Sequence, residues 1–356
     1  MIVVRPESYR QFPAGRHQFV LVLEKALADS FQIESAQRYE KCATVAVEPG
    51  RPLADVLRSE VPEGSDVLVI AGTDALLTAP TVEIGPGRTV AALRMGTGPL
   101  ALDQTRSLLE ALERTDPDEV ERRAAKLTAA LETAGGVQIE DPLTGSVAKL
   151  TTTHPNWTRS DLGVFKPGSV QLAPTGRLRL GADTTGTAFS GQVAVKGWPV
   201  VRSRTDGDAR RHELYEQLTG LSHYPLVLTV EDGEVTDLKA AATGSGTAAA
   251  ALESLFAEHP DHSMVSGIEF GLSTASQPLP FNTEANSASA GKAQASVHLV
   301  LGSLPQTPYQ LTLACSTSTV TAAGSTEPLA GTGTEAGGER PRRRMNRVTA
   351  ANCGCH

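Results

Sequence analysis

The sequence predicts an α/β N-terminal domain over residues 1–115 and a β-rich, α+β second domain over 116–320. Three observations carry this. Short Val- and Ile-rich runs alternate with helix-capable stretches in the first third, one long capped helical period follows, and short β-type runs broken by Gly, Pro, Asn and Asp then continue to about Val320. A chain of 356 residues is long enough for two such units.

In chain order, Ala43 to Val47, Asp66 to Ala71 and Thr89 to Leu93 read as buried strands bounded by Gly or Pro, and Pro52 to Glu60 reads as a short helix. The Gly72-Thr73-Asp74 turn has one glycine where a phosphate-binding turn needs several, so it reads as a packing turn. Thr115 to Gly136 is the clearest helix. Asp116 caps it with Glu119 reaching back, Pro117 fits its first turn, Val120, Ala124, Leu127 and Leu131 form one apolar face, and Gly135-Gly136 stops it. Beyond it, Val137 to Ile139, Ser146 to Thr151, Arg177 to Leu180, Pro225 to Val230 and Ser296 to Leu301 are predicted strands. Leu226 to Val230 before Glu231-Asp232-Gly233 signals a hairpin, and Thr247 to Ala257 a helix.

Residues 321–339 are Ala, Gly, Thr, Ser and Glu with almost no large apolar side chain, and are expected to form a flexible spacer. Residues 340–356 hold five arginines between Arg340 and Arg347, then Val348 to His356 with the run Asn352-Cys353-Gly354-Cys355-His356. The sequence therefore predicts a disordered C-terminal tail.

Composition excludes several functions. A net charge of −8 argues against a nucleic-acid or membrane-surface partner. No run approaches a membrane span, and the first residues lack a secretory pattern, so a cytoplasmic location is expected. Four cysteines are too few for a disulfide scaffold; Cys42 and Cys315 read as small buried hydrophobes.

From about Ala124 to Val320 the order of features resembles the thermophilic-type leucyl aminopeptidases, the aminopeptidase T family, whose fold the dihydroxypyridine ring-cleaving dioxygenases share. The resemblance rests on Val137-Gln138-Ile139 after the long helix, Asp141 to Gly145, Phe165 to Val170, Leu228 to Gly233, Gly267 to Leu272 and Ser296 to Gly302. It implies a pair of divalent ions held by Glu, His and Asp. Carried over residue by residue, those positions fall on Ser169, Glu269, His298, Gln310 and Thr312, so three are neutral. One Glu and one imidazole leave a dication pair uncompensated, so the expectation is a pseudoenzyme body without a cofactor or catalytic residues. A Ser-His-Asp reading through Ser169 lacks a nucleophile elbow. His212, His223, His259 and His262 share no metal-ligand spacing and read as surface or packing residues.

The tail is then the chemical part. Spacer, arginine stretch and Cys/His terminus follow in the order of precursors of ribosomally synthesised, post-translationally modified peptides (RiPPs), which the tail resembles. The body would act as a large leader. Cys353 and Cys355, with Asn352 and His356, would form the core altered by peptide-modifying enzymes, and Arg344 and Arg347 would be processing positions for a protease. Behind this stand a divergent metal-dependent aminopeptidase or dioxygenase using a divalent metal, then a Cu- or Zn-binding tail. A second copy of the chain, as a homodimer, is a further candidate partner.

Overall fold

The computed structural model describes residues 1–331 apart from 97–99, 152–156, 161, 175, 182–187, 205–208, 291–294 and 305. The expectations placed on 340–356, including Arg344, Arg347, Asn352, Cys353, Cys355 and His356, lie outside the described residues.

The N-terminal region is a parallel sheet covered on both faces. Its elements run β1 (Ile2–Val4), β2 (Gln18–Glu24), β3 (Phe31–Ile33), β4 (Lys41–Val47), α1 (Leu53–Glu60), β5 (Ser65–Ala71), α2 (Thr81–Ile84), β6 (Thr89–Arg94) and α3 (Ala101–Arg114). β1 and β3 form a small parallel pair. The main sheet has β4, β2, β5 and β6 side by side, all parallel. Alternate residues face opposite layers. Phe19, Leu21 and Leu23 of β2 share a core with Leu108 and Leu112 of α3, while Val20 and Val22 share one with Leu53, Val56 and Leu57 of α1. Burial on both faces explains why these strands read as continuous apolar runs.

A fifth strand closes the sheet from far along the chain. Val170–Ala173 pairs in parallel with β6, and Phe165 before it sits against Phe12 with ring centroids 5.0 Å apart. Residues within the predicted second domain thus complete the first sheet. Four residues with one glutamine among them are too short a signal to show that in sequence.

The second region begins with α4 (Pro117–Ala134), followed by β7 (Gly136–Asp141), β8 (Ser146–Thr151), β9 (Trp157–Ser160), β10 (Val170–Ala173, the strand just described), β11 (Arg177–Gly181), β12 (Ala188–Val195), β13 (Val200–Ser203), α5 (Ala209–Leu218), β14 (Leu226–Glu231), β15 (Glu234–Ala240), α6 (Gly246–Glu258), β16 (Val265–Gly271), α7 (Thr283–Ala288), β17 (Ser296–Leu301), β18 (Tyr309–Ala314), β19 (Thr319–Ala322) and β20 (Pro328–Gly331). In α4 the Asp116 side chain accepts from the backbone N–H of Asp118 and Glu119, Pro117 is the first helical residue, and Gly135 ends the helix at φ +63°. The Glu119 carboxylate pairs with Arg123 one turn on rather than reaching back to the cap. The β14–β15 turn has Asp232 at φ +49° and Gly233 at φ +87°, the conformation a two-residue hairpin needs.

Two antiparallel sheets result, ordered β15-β14-β12-β8-β7-β19-β20 and β13-β18-β17-β16-β11-β9. Their apolar faces, with α4, α5 and α6, enclose one core that includes Leu150, Phe189, Leu228, Leu252, Phe270, Leu299 and Leu313. The expected spacer over 321–339 is corrected in its described part: Pro328–Gly331 is a strand on β19, Ala330 is buried and Leu329 lies against the core. One leucine and one alanine, aimed into a slot already made by other elements, stabilise a segment whose composition looks structureless.

Candidate functional site

The six-stranded sheet has one apolar face and one polar face, and its register builds the polar one. Glu269 on β16 lies opposite Arg179 of β11 on one side and His298 of β17 on the other. Val300, two residues beyond His298, opposes Thr312 of β18, and Gln310 opposes Arg202 of β13. Because side chains alternate along a strand, Arg179, Glu269, His298, Gln310, Thr312 and Arg202 share one side of the sheet. Helix α7 covers that side, and the backbone approach is close. A Cβ on Gly271 would lie 2.3 Å from the Ser289 carbonyl oxygen just past the helix.

Arg202 is the centre of this face. Its Nη1 donates to Thr312 Oγ1 at 3.3 Å and, at 3.5 Å, to Gln310 Oε1; its Nη2 donates to Ser287 Oγ of α7 at 3.1 Å. Burial pulls its guanidinium below the usual value while Glu269 and Glu284 support the charge. Arginine stays protonated through such shifts. His298 is buried, with Nε2 3.0 Å from Ser296 Oγ. Burial lowers its pKa to about 4, Glu269 opposing and Arg202 adding to the effect, so the imidazole is neutral at physiological pH. The Glu269 carboxylate is 3.6 Å from Arg179 Nε; its Oε2, like His298 Nδ1, has no hydrogen-bond partner among the described residues.

This face continues into a cleft of about 560 Å³ that reaches the C-terminal ends of the parallel strands. Ala71, Gly72 and Thr73 come from the end of β5, Arg94 to Gly96 from the end of β6, and Leu172 from β10; Val200 to Ser203, α5, Phe281 and Glu284 form the other side. Ligands of open parallel sheets bind outside these strand ends. The wall includes a stack: the Phe281 ring lies over His212 at 4.9 Å and 12°, and 3.9 Å from Tyr215. Phe281 has φ +57°, and its backbone N–H donates to Tyr215 Oη at 2.7 Å. Across the cleft, Arg94 Nε is 3.8 Å from the Glu284 carboxylate, and Asn282 Nδ2 donates to the Arg94 carbonyl, tying α7 to β6.

Of the residues singled out from the resemblance, Glu269, His298, Gln310 and Thr312 come together on this face. Ser169 does not join them. It sits where the chain enters β10, its hydroxyl donating to the Lys166 carbonyl, next to the start of β6, where Gly168 N–H donates to the Arg88 carbonyl. That is the end of the parallel sheet opposite the cleft. Cys42 is half-buried and Cys315 buried, and burial raises both thiols, Cys315 to about 12. Sequence reasoning missed Arg94, Arg202, Arg211 and Phe281, which lie in segments with no motif. It placed His212 in a surface or packing role and the Gly72 turn in a packing role; both line the cleft. The turn glycine has a packing reason as well: a Cβ on Gly72 would meet the Glu24 carboxylate at 2.9 Å.

The divalent metal that the resemblance implies does not fit these residues. A dication needs anionic or neutral donors turned toward it. Here Arg202 has its guanidinium on the side chains of Gln310 and Thr312, and the carboxylates of Glu269 and Glu284 each face an arginine. Among the described residues no group of three or more His, Cys, Asp and Glu side chains could hold a metal ion.

No family model matches the chain, and no curated protein matches it. Among solved structures, the 2,5-dihydroxypyridine dioxygenase from Pseudomonas putida KT2440 superposes with a TM-score of 0.48 at 12% sequence identity, over 87% of this chain and 89% of its own. A likeness of that size transfers neither site nor chemistry. No helix among the described residues is long and apolar enough to cross a membrane.

Proposed function

We propose that this chain is a non-catalytic precursor scaffold: a folded, aminopeptidase T-like pseudoenzyme body acting as leader for a C-terminal Cys-Gly-Cys-His core that peptide-modifying enzymes alter in peptide natural-product biosynthesis. The observation that carries this reading is where the thiols are. The body's two cysteines are poor nucleophiles, Cys315 because it is buried with a thiol pushed up to about 12 and Cys42 because burial raises it. The paired thiols Cys353 and Cys355 come after the last described strand, with residues 332–352 between. Twenty-one residues can span at most roughly 70 Å, enough to enter another enzyme's pocket while the body docks elsewhere. The arginine stretch, with Arg344 and Arg347, supplies protease positions between body and core.

The experiment is co-expression with the enzymes encoded beside this chain's gene, followed by mass spectrometry of the C-terminal fragment. A mass change confined to 348–356, lost in Cys353→Ala or Cys355→Ala and lost when the tail is supplied without the body, is the expected result. An unmodified tail with every neighbour ends the precursor reading, and full modification of the detached tail ends the leader role.

A divergent metal-dependent hydrolase or dioxygenase is the second reading, favoured by Glu269 Oε2 and His298 Nδ1, which lie side by side on one face without a hydrogen-bond partner among the described residues. Arg202 opposes it. Tightly held divalent metal in elemental analysis of the purified chain, with turnover lost in Glu269→Gln, would put this reading first; metal lost instead in Cys353→Ala would point to a copper- or zinc-binding tail.

A further inference from the structure

We propose that two copies of this chain join edge to edge through β4, the two strands running antiparallel across a two-fold axis at Thr44, so that the parallel sheets of both copies become one. β4 is an outer strand of its sheet and pairs only with β2. A partner on one side uses half of a strand's N–H and C=O groups and leaves the rest pointing outward. For Cys42 to Ala46 no other backbone hydrogen bond forms among the described residues. Cys42, Ala43 and Val45 are half-buried and Thr44 and Ala46 exposed, whereas β5 in the middle of the same sheet is buried along its whole length.

The other outer strands of the three larger sheets are protected. β9, β10, β13 and β20 have four residues each, and β20 opens with Pro328. β15 has seven residues, as β4 has, but it carries Glu234, Asp237 and Lys239, and a register shift breaks its pairing with β14. Short length, charge, proline and bulges are the devices that keep a strand edge from pairing. Between Lys41 and Glu48, β4 has no charge, no proline and no break in register.

Extended backbone is what satisfies a strand edge, and the side chains of β4 suit its own copy. A two-fold axis normal to the sheet pairs residues that share a face, so it passes through one residue, and Thr44 is the middle of Lys41–Val47. The register that follows sets Thr44 against Thr44 of the second copy, Ala43 against Val45 and Cys42 against Ala46, small or β-branched pairs without a charge. A net charge of −8 opposes self-association in general, but no acid meets another across these residues. Beyond them Glu40 comes opposite Glu48, and a cation is already present: Lys25 Nζ is 2.6 Å from the Glu48 carboxylate. A single strand edge makes a small interface, so the dimer is weak, with a dissociation constant on the order of 10–100 μM. The inference rests neither on the role of the tail nor on the cleft.

Sedimentation velocity of the full chain under reducing conditions, from about 5 to about 200 μM, is the test, with hydrogen exchange at the β4 amides beside it. The parent chain should dimerise in that range. Thr44→Lys and Thr44→Glu each put like charges at the axis on an exposed side chain, and each alone should weaken dimerisation at least about tenfold. An equimolar mixture of the two variants should dimerise within about threefold of the parent, which a misfolded strand does not do. A parent chain that stays monomeric up to about 200 μM overturns the proposal, and slow exchange at Cys42 to Ala46 in that monomer would mean that another segment of the same chain covers the edge. Dimerisation unchanged in Thr44→Lys, or a mixture no better than either variant alone, overturns it as well.

Discussion

Replacing Asp66 with asparagine should change how stability depends on pH. Asp66 is fully buried near the start of β5, where Tyr39 Oη donates to its Oδ2 at 2.9 Å and the Thr89 side chain lies opposite it on β6. Burial raises its pKa from 3.8 to about 6, with hydrogen bonds from Tyr39 and Thr89 and the charges of Arg38 and Arg16 opposing. The folded state therefore binds more protons than the unfolded chain between about pH 4 and pH 6, and stability falls as pH rises through that window. Two pKa units correspond to about 3 kcal/mol, of which about 2 kcal/mol develops between pH 4 and pH 7, because the unfolded carboxyl is already partly ionised at pH 4. The substituted side chain still accepts from Tyr39 but carries no charge at any pH, so any cost of its amide is constant. Urea unfolding of parent and Asp66→Asn chains from about pH 4 to pH 7 should show the variant gaining about 2 kcal/mol relative to the parent. Stability curves that stay parallel within about 0.5 kcal/mol would refute the reasoning, because the carboxyl would then ionise as it does in the unfolded chain.

Two further outcomes are expected. His298 has the opposite slope: its folded pKa of about 4 lies below the ordinary 6.5, so stability is lost as pH falls from about 6.5 to about 4. His298→Gln should remove about 3 kcal/mol of that loss, read as a difference from the parent; an unchanged acid limb would mean that the imidazole is exposed to protons. A chain ending after Ala322 loses β20, with buried Ala330 and the half-buried Leu329, and should melt about 3 °C or more below one ending after Gly331. Coincident melting would restore the spacer reading for that segment.

Much of the local structure was legible in the sequence because it is set by neighbours in the chain. Asp116, Pro117 and Gly135 mark the ends of α4, Asp232-Gly233 makes its hairpin, and Val- and Ile-rich runs form β4, β5 and β6. The central strand β2 and the helix α3 carried no capping or turn signal that made them stand out. What only the tertiary structure decided is long-range: that β10 returns to the first sheet, that Pro328–Gly331 finds a slot on the core, and that Ser169 lies at the far end of the sheet from Glu269 and His298. The cleft belongs wholly to that class. Arg94, Arg202, Arg211 and Phe281 are separated by up to about 190 residues and share no spacing, because a site assembled from strand ends and one helix face is specified by sheet order and register, which burial energy selects over the whole chain rather than any local pattern of residues.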